Sequence, residues 1–297
     1  MVTSDASTGN YSISDLPAGT YTLEAVKTGW NTSTETISLG SNTTLNFSLW
    51  PTSWEVIHIG GCSTIESITS VESLGKLFAV GDGGQTSFIL SSSDGLNWQN
   101  LSSPTNEALV TVQGLGPYGV GVINKNGGLF YSTEESTWNY FANLTSEAIR
   151  DAYILDPSSW EVITESGKVV QTLDSGGSFR NITPPLDHQY YALQGYGPIL
   201  IVVGANGSAF FTSECTGVSI SWSQFNITTE ALTSFFWDFS NKAIAGTQTG
   251  AIYVSTDQGS SFAREVDGIP YPITAATGGG NIFIVGGGNG LILKRTF

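Results

Sequence analysis

Along the 297-residue chain, five Ser or Thr residues that each stand two places before an acid recur at near-equal intervals: Ser92/Asp94, Ser132/Glu134, Thr172/Asp174, Thr212/Glu214 and Ser255/Asp257. The acids follow one another at steps of 40, 40, 40 and 43 residues. An aromatic residue comes shortly after each, at Trp98, Trp138, Phe179, Trp222 and Phe262. A period of this length marks a repeat architecture, in which each unit buries its apolar face only against its neighbours. Ahead of each pair lie a Gly-containing turn and a short apolar run, as in GKVVQTLDSGGSF and GAIYVSTDQGSSF. Short apolar runs punctuated by Gly, Asn and Asp are strand and hairpin signals, not helix signals.

Four such runs, A to D, fill each period. Six fit A (SITSV, LVTVQGL, IRDAYIL, YYALQGY, TSFFWDF, PITAATG), and six fit B, among them KLFAVGD and NIFIVGG. The sixth C run, LILKR, stands beside the C-terminus with no D run after it. SWEVIHI, from Ser53, matches the D runs NWQNLSS, TWNYFAN, SFRNITP, SWSQFNI and SFAREVD, yet precedes the first A run. A ring whose last sheet takes its outer strand from the start of the domain leaves no unpaired closing edge. The expected fold is therefore all-β: a six-bladed β-propeller over residues 51–297, with Trp54 in the closing strand and residues 53–58 antiparallel to 291–296.

These units resemble Asp-box (BNR) repeats. TLDSGGSF from Thr172 and STDQGSSF from Ser255 fit the pattern fully, and SSDGLNW from Ser92 is one residue shorter. STEESTW from Ser132 and TSECTGVSISW from Thr212 are degenerate, with Glu for Asp and, in the second, an insertion. The resemblance implies that each acid bonds backbone N–H groups of its own turn, as short Asx side chains do, and that each aromatic packs between blades.

Residues 1–50 differ in kind. GNYSISDLPAGTYTLEAVKTGWNTSTETISLGSNTTLNFSL alternates with period two around a Leu16–Gly19 turn and a second turn near Ser41. With Gly9, Tyr11, Leu16, Pro17, Gly19 and Tyr21 it resembles the C-terminal part of a carboxypeptidase regulatory-like domain, a transthyretin-like sandwich that usually has two further strands ahead of this signature. An incomplete sandwich exposes an apolar face and a free edge. Two expectations follow: the sequence is part of a longer chain, or a strand from another subunit fills the gap by β-augmentation, giving self-association.

Ten Lys and Arg against twenty-five Asp and Glu leave a formal charge of −15, which excludes a basic nucleic-acid footprint. No apolar run approaches the ~18–20 residues of a membrane span. Sequons occur at Asn10, Asn31, Asn42, Asn46, Asn100, Asn143, Asn181, Asn206 and Asn226, whereas this composition predicts about four by chance. The excess points to covalent N-linked glycans on an extracellular or cell-surface protein, above all at Asn206 and Asn42. Cys62 and Cys215 fall in connections expected at opposite faces of the ring, too far apart for a disulfide.

The search for chemistry yields mostly exclusions. His58 and His188 are the only histidines and no HxxxH or CxxC spacing occurs, so neither a metal site nor a cofactor is expected. No nucleophile elbow, Walker loop or dinucleotide fingerprint is present, and Asp82 in VGDGGQ lacks the further carboxylates of a calcium loop. A sialidase needs three converging arginines. Of Arg150, Arg180, Arg264 and Arg295, only Arg150 lies in an inner-strand run. Asp151 with Asp238 is the remaining candidate carboxylate pair for a glycosidase. Tyr190, Tyr191, Phe236 and Trp237, in A runs, are candidate sugar-stacking residues, although inner-strand aromatics more often pack between blades. The expected function is thus a non-enzymatic, adhesive extracellular glycoprotein with the propeller as a rigid display module. The alternative is a carbohydrate-active enzyme or lectin-like binder using the central funnel.

Overall fold

A computed structural model describes residues 2–5, 9–47, 49–83, 86–185 and 189–297. The chain divides into two compact units, Met1–Ser53 and Trp54–Phe297. Pro51 bridges back to Trp30, and Thr52 N–H donates to Gly29 O at 3.0 Å. This places residues 51 and 52 with the first unit, not the second.

The second unit is a six-bladed β-propeller of four-stranded antiparallel meanders. Blades 1 to 5 span residues 64–101, 109–143, 149–181, 190–224 and 232–266. Blade 6 takes three strands from residues 273–296, and its outer strand is Trp54–His58. That strand runs antiparallel to the last one, with Arg295 opposite Trp54 and Leu291 opposite His58, so the ring closes as the repeat count predicts. Trp54 is 3% exposed.

Inner strands alternate side chains between channel and inter-blade core because a strand repeats every two residues. Phe78, Val80 and Ile89 of blade 1 pack with Leu109, Val112 and Val122 of blade 2. Ile163, Val169 and Ile182 of blade 3 pack with Tyr190, Leu200 and Phe210 of blade 4. Tyr190 is fully buried, a core residue and not a sugar platform.

The turn between second and third strands brings a left-handed glycine against the chain entering an inner strand. Gly207 (φ 69°) has Thr228 O, and Gly250 (φ 82°) has Ile269 O, about where a Cβ would stand, at 1.8 and 2.0 Å. Only glycine fits both the conformation and the gap.

In the first unit, Gly19–Ala25 pairs antiparallel with Ser33–Leu39. Tyr21, Leu23, Ala25, Ile37 and Leu39 are half-buried, alternating with exposed neighbours. Tyr11 Oη donates to Leu45 O at 2.8 Å, and its ring meets Phe47 at 6.0 Å. No described residue among 2–50 is fully buried.

Candidate functional site: the central channel and its mouths

The six inner strands Thr64–Val71, Leu109–Gly114, Ile149–Asp156, Tyr190–Tyr196, Leu232–Trp237 and Ile273–Gly279 enclose a channel of about 1370 Å³. Each has a register shift at its second or third residue, leaving one extra residue: Glu66, Val110, Arg150, Tyr191, Thr233 and Thr274. A bulge of this kind bends its strand and re-aims a side chain. All six extra residues line the channel at the end where the inner strands begin.

Just inside that ring, every blade junction is bridged by an inner-strand side chain. Ser67 Oγ accepts from Val112 N at 3.2 Å, and Thr111 Oγ1 donates to Asp151 Oδ1 at 2.8 Å. Asp151 Oδ2 accepts from Leu193 N at 2.8 Å. Gln113 and Gln194 each pair by their amides with backbone of the following blade, at Ile154 and Trp237. Ser234 and Thr233 donate to Ile273 O, and Thr274 donates to Ile65 O. Enclosure by three inner strands pushes the Asp151 carboxyl up to about 6, partly offset by the Leu193, Thr111 and Ala152 donors. This ring had no signal in the sequence beyond polar residues in A runs.

The charged groups gather on one arc of the mouth. Lys125 Nζ lies 3.3 Å from Glu165 Oε1, and Arg150 Nε lies 3.5 Å from Glu165 Oε2. The Arg150 guanidinium sits 5.1 Å from the Tyr191 ring centroid. Burial raises the Glu66 carboxyl, Asp82 raises it further, and Lys125 works against both. The opposite mouth carries aromatic rings beside the carboxylates Glu72 and Asp156. Tyr118 and Tyr196 are exposed there, and Tyr196 stacks on Phe239 at 4.8 Å. Trp237 meets Phe239 at 4.9 Å and belongs to the blade 4–5 packing; Phe236 lines the channel.

The expected glycosidase pair does not form a unit. Asp238 lies beyond its inner strand, where it accepts from Ser240 N at 2.8 Å and Lys242 N at 3.0 Å. Three arginines are engaged away from the channel. Arg180 donates to Gln171, Cys215 O and Gly217 O; Arg264 pairs with Asp267; Arg295 pairs with Glu265. Cys62 and Cys215 are free thiols, and burial pushes Cys215 to about 12. His58 ends the closing strand; His188 lies outside the described residues.

Three of the five acid motifs form the same turn. Asp94 Oδ1 accepts from Leu96 N and Asn97 N, both at 2.8 Å. Asp174 and Asp257 accept from Ser178 N and Ser261 N at 2.8 and 2.9 Å. Ser92, Thr172 and Ser255 donate to their acids and accept from Gly95, Gly176 and Gly259 N–H. Glu134 and Glu214 differ: only their backbone N–H groups reach Ser132 and Thr212, at 3.4 and 3.3 Å. Among the described residues no hydrogen bond from the turn reaches either Glu carboxylate.

Trp98, Trp138, Trp222 and Phe262 pack against inter-blade clusters. Phe179 departs from the expected role and is 44% exposed. Its place between blades 2 and 3 is taken by Trp160 from the second strand, 1% exposed. Trp160 Nε1 donates to Leu144 O at 3.0 Å, as Trp222 Nε1 donates to Ile182 O at 2.9 Å. Both carbonyls lie just past an outer strand of the preceding blade.

Beside Trp160, Glu161 is fully buried. Its Oε1 accepts from Gln171 Nε2, and its Oε2 has no partner among the described residues. Burial pushes this carboxyl to about 7, against the Gln171, Cys215 and Arg180 groups that favour the charged form.

The fold thus defines the class, a six-bladed β-propeller. No family model matches the sequence, and no curated protein matches it. Among solved structures, the chain is similar to YCF48 bound to D1 peptide, with TM-score 0.57 and 13% identity, covering 87% of this chain and 100% of that one. The WD40 propeller domain of Doa1 gives TM-score 0.57 and 9% identity, over 82% and 97% of the two chains. A GH74 enzyme from Niastella koreensis gives TM-score 0.52 and 13% identity, covering 77% of this chain and 44% of that one. At such identities the similarity is one of fold.

Proposed function

We propose that the propeller is the rigid, non-catalytic display and binding module of an extracellular adhesive glycoprotein. In this reading its five acid motifs are Asp-box repeats, and residues 1–50 are a partial carboxypeptidase regulatory-like sandwich that joins copies of the chain. The observation that carries a non-catalytic reading is Asp151. The candidate carboxylate within the channel wall has both oxygens occupied by donors from two other blades, so it acts as a tie between strands and not as a free acid or base.

Two further observations support the extracellular and joining parts. All nine sequon asparagines are exposed. Asn100, Asn143 and Asn181 lie on the outer strands of blades 1, 2 and 3, and Asn226 follows that of blade 4, so sugars there would cover edges open to strand pairing. The half-buried hairpin face of Tyr21, Leu23 and Ile37 retains apolar area that a donated strand would cover. Native material is expected to show glycan mass on sequon peptides, foremost those of Asn206 and Asn42, and to run as an oligomer in light scattering. A bare intact mass removes the glycoprotein reading; a monodisperse monomer at micromolar concentration removes the joint.

The exposed Tyr118 and Tyr196 rings favour one second reading, a lectin-like or carbohydrate-active module with sugars stacked at the aromatic mouth. A glycan array with a glycosidase panel separates the two.

A further inference from the structure

The mouth where the inner strands begin is divided by charge. Blade 1 contributes Glu66 and Asp82, blade 2 Lys125, and blade 3 Arg150 and Glu165. Blades 4 to 6 contribute the neutral groups Gln189, Tyr191, Thr233, Gln248 and Thr274. Lys125 and Arg150 are the two cations among the described channel-lining residues, in a chain with ten Lys and Arg against twenty-five acids. One carboxylate, Glu165, holds both. It engages Arg150 through Nε, while Tyr191 flanks the guanidinium. The terminal Nη1 and Nη2 edge of a guanidinium is the fork that matches a carboxylate with two parallel hydrogen bonds. Glu165 is thus a positioning residue, and Arg150 and Lys125 are the contact groups.

We propose that this mouth binds an extended peptide segment of mixed charge. An acidic side chain or terminal carboxylate sits on Arg150 and Lys125, and a basic side chain sits on Glu66 and Asp82. A polyanion would meet the blade 1 carboxylates beside the cations, and a polycation would meet Lys125 and Arg150. A ligand carrying both signs satisfies both halves, which is specificity by repulsion as much as attraction. The hydroxyls and amides of blades 4 to 6 offer partners to main-chain amides. This assignment rests on reading the propeller as a binding module and names its ligand class.

The test uses the full chain and fluorescein-labelled Gly/Ser hexapeptide pools containing Glu only, Lys only, Glu with Lys, or neither, together with a labelled oligogalacturonate. Anisotropy titration is expected to rank the Glu-with-Lys pool first, with affinity falling as salt rises. Arg150→Met and Lys125→Met should each weaken it by about tenfold or more. Arg150→Lys should not restore it, because the fork is lost, and Lys27→Met in the first unit should change nothing. Lys125 is half exposed, so its variant tests the site even if Arg150→Met fails to fold. The proposal is overturned by binding of no pool, by equal binding of all four, by tighter oligogalacturonate binding, or by indifference to both Met variants. Turnover in a glycosidase panel would instead remove the non-catalytic reading, without altering the ranking of the pools.

Discussion

The acid motifs whose carboxylate bonds its own turn carry Asp; the two that lack those bonds carry Glu, one methylene longer, and the Glu214 motif has an insertion as well. Asp is short enough to fold back onto N–H groups two to four residues ahead, and those bonds hold Asp94 and Asp174 below the usual carboxylate range and Asp257 at about 2. Glu134 and Glu214 share the spacing but not the bonds. Asp174→Ala and Asp257→Ala are therefore expected to lower the melting temperature at neutral pH, while Glu134→Ala and Glu214→Ala leave it within error. Equal losses from both pairs in thermal denaturation would show that position alone, not the turn bonds, matters. The spacing made these acids legible in the sequence, but the exchange of Phe179 for Trp160 was not. Its one signal was a Trp in a second-strand run where blades 2 and 5 have Val120 and Ala243 at the equivalent place. Periodicity reports that an aromatic is present, not which of two neighbouring rings fills the gap.

Strand runs were legible because apolar alternation and turn glycines punctuate them at every period. The bulges were not, since one extra residue merely shifts the alternation and looks like an irregular run. Yet those bulges place Glu66, Arg150 and Tyr191 at the mouth, so the part of the site that sequence reasoning missed is the part set by strand geometry. Arg150, Asp151, Tyr191 and Phe236 were recognisable as channel candidates through their places in A runs, whereas Glu66 was not. At the same scale, the closing strand carries the ring. Its five residues pair along Leu291–Arg295, and Trp54 is its largest buried side chain. Trp54→Ala removes that contact and leaves a cavity, at a cost of about 3–5 kcal/mol. Urea unfolding should show this as a lowered midpoint. A variant within 1 kcal/mol of the parent, roughly the scatter of ordinary surface changes, would mean that backbone pairing alone closes the blade.

Across the whole molecule, the charge and the buried acids bear on stability in the same direction. Glu161 titrates at about 7 in the fold against an ordinary 4.5, and Asp151 at about 6 against 3.8. Between those limits the unfolded chain has released protons that the folded chain keeps, so stability is fully present below the lower values and falls as pH rises through the higher ones. The box aspartates behave oppositely: their folded values are depressed, so their contribution is present above the ordinary carboxylate range and lost only in strong acid. A net charge of −15 at pH 7 adds self-repulsion that also grows with pH. The melting temperature should therefore peak near pH 4–5 and decline toward pH 8, a range bounded by these titrations. Glu161→Gln keeps the shape and the Gln171 contact while removing the charge. It should match the parent near pH 4.5 and exceed it at pH 8, flattening the decline. A parent whose melting temperature climbs from pH 5 to pH 8, or a Glu161→Gln variant that runs parallel to it at every pH, would mean that Glu161 is charged throughout and that its orphaned oxygen is satisfied in solution.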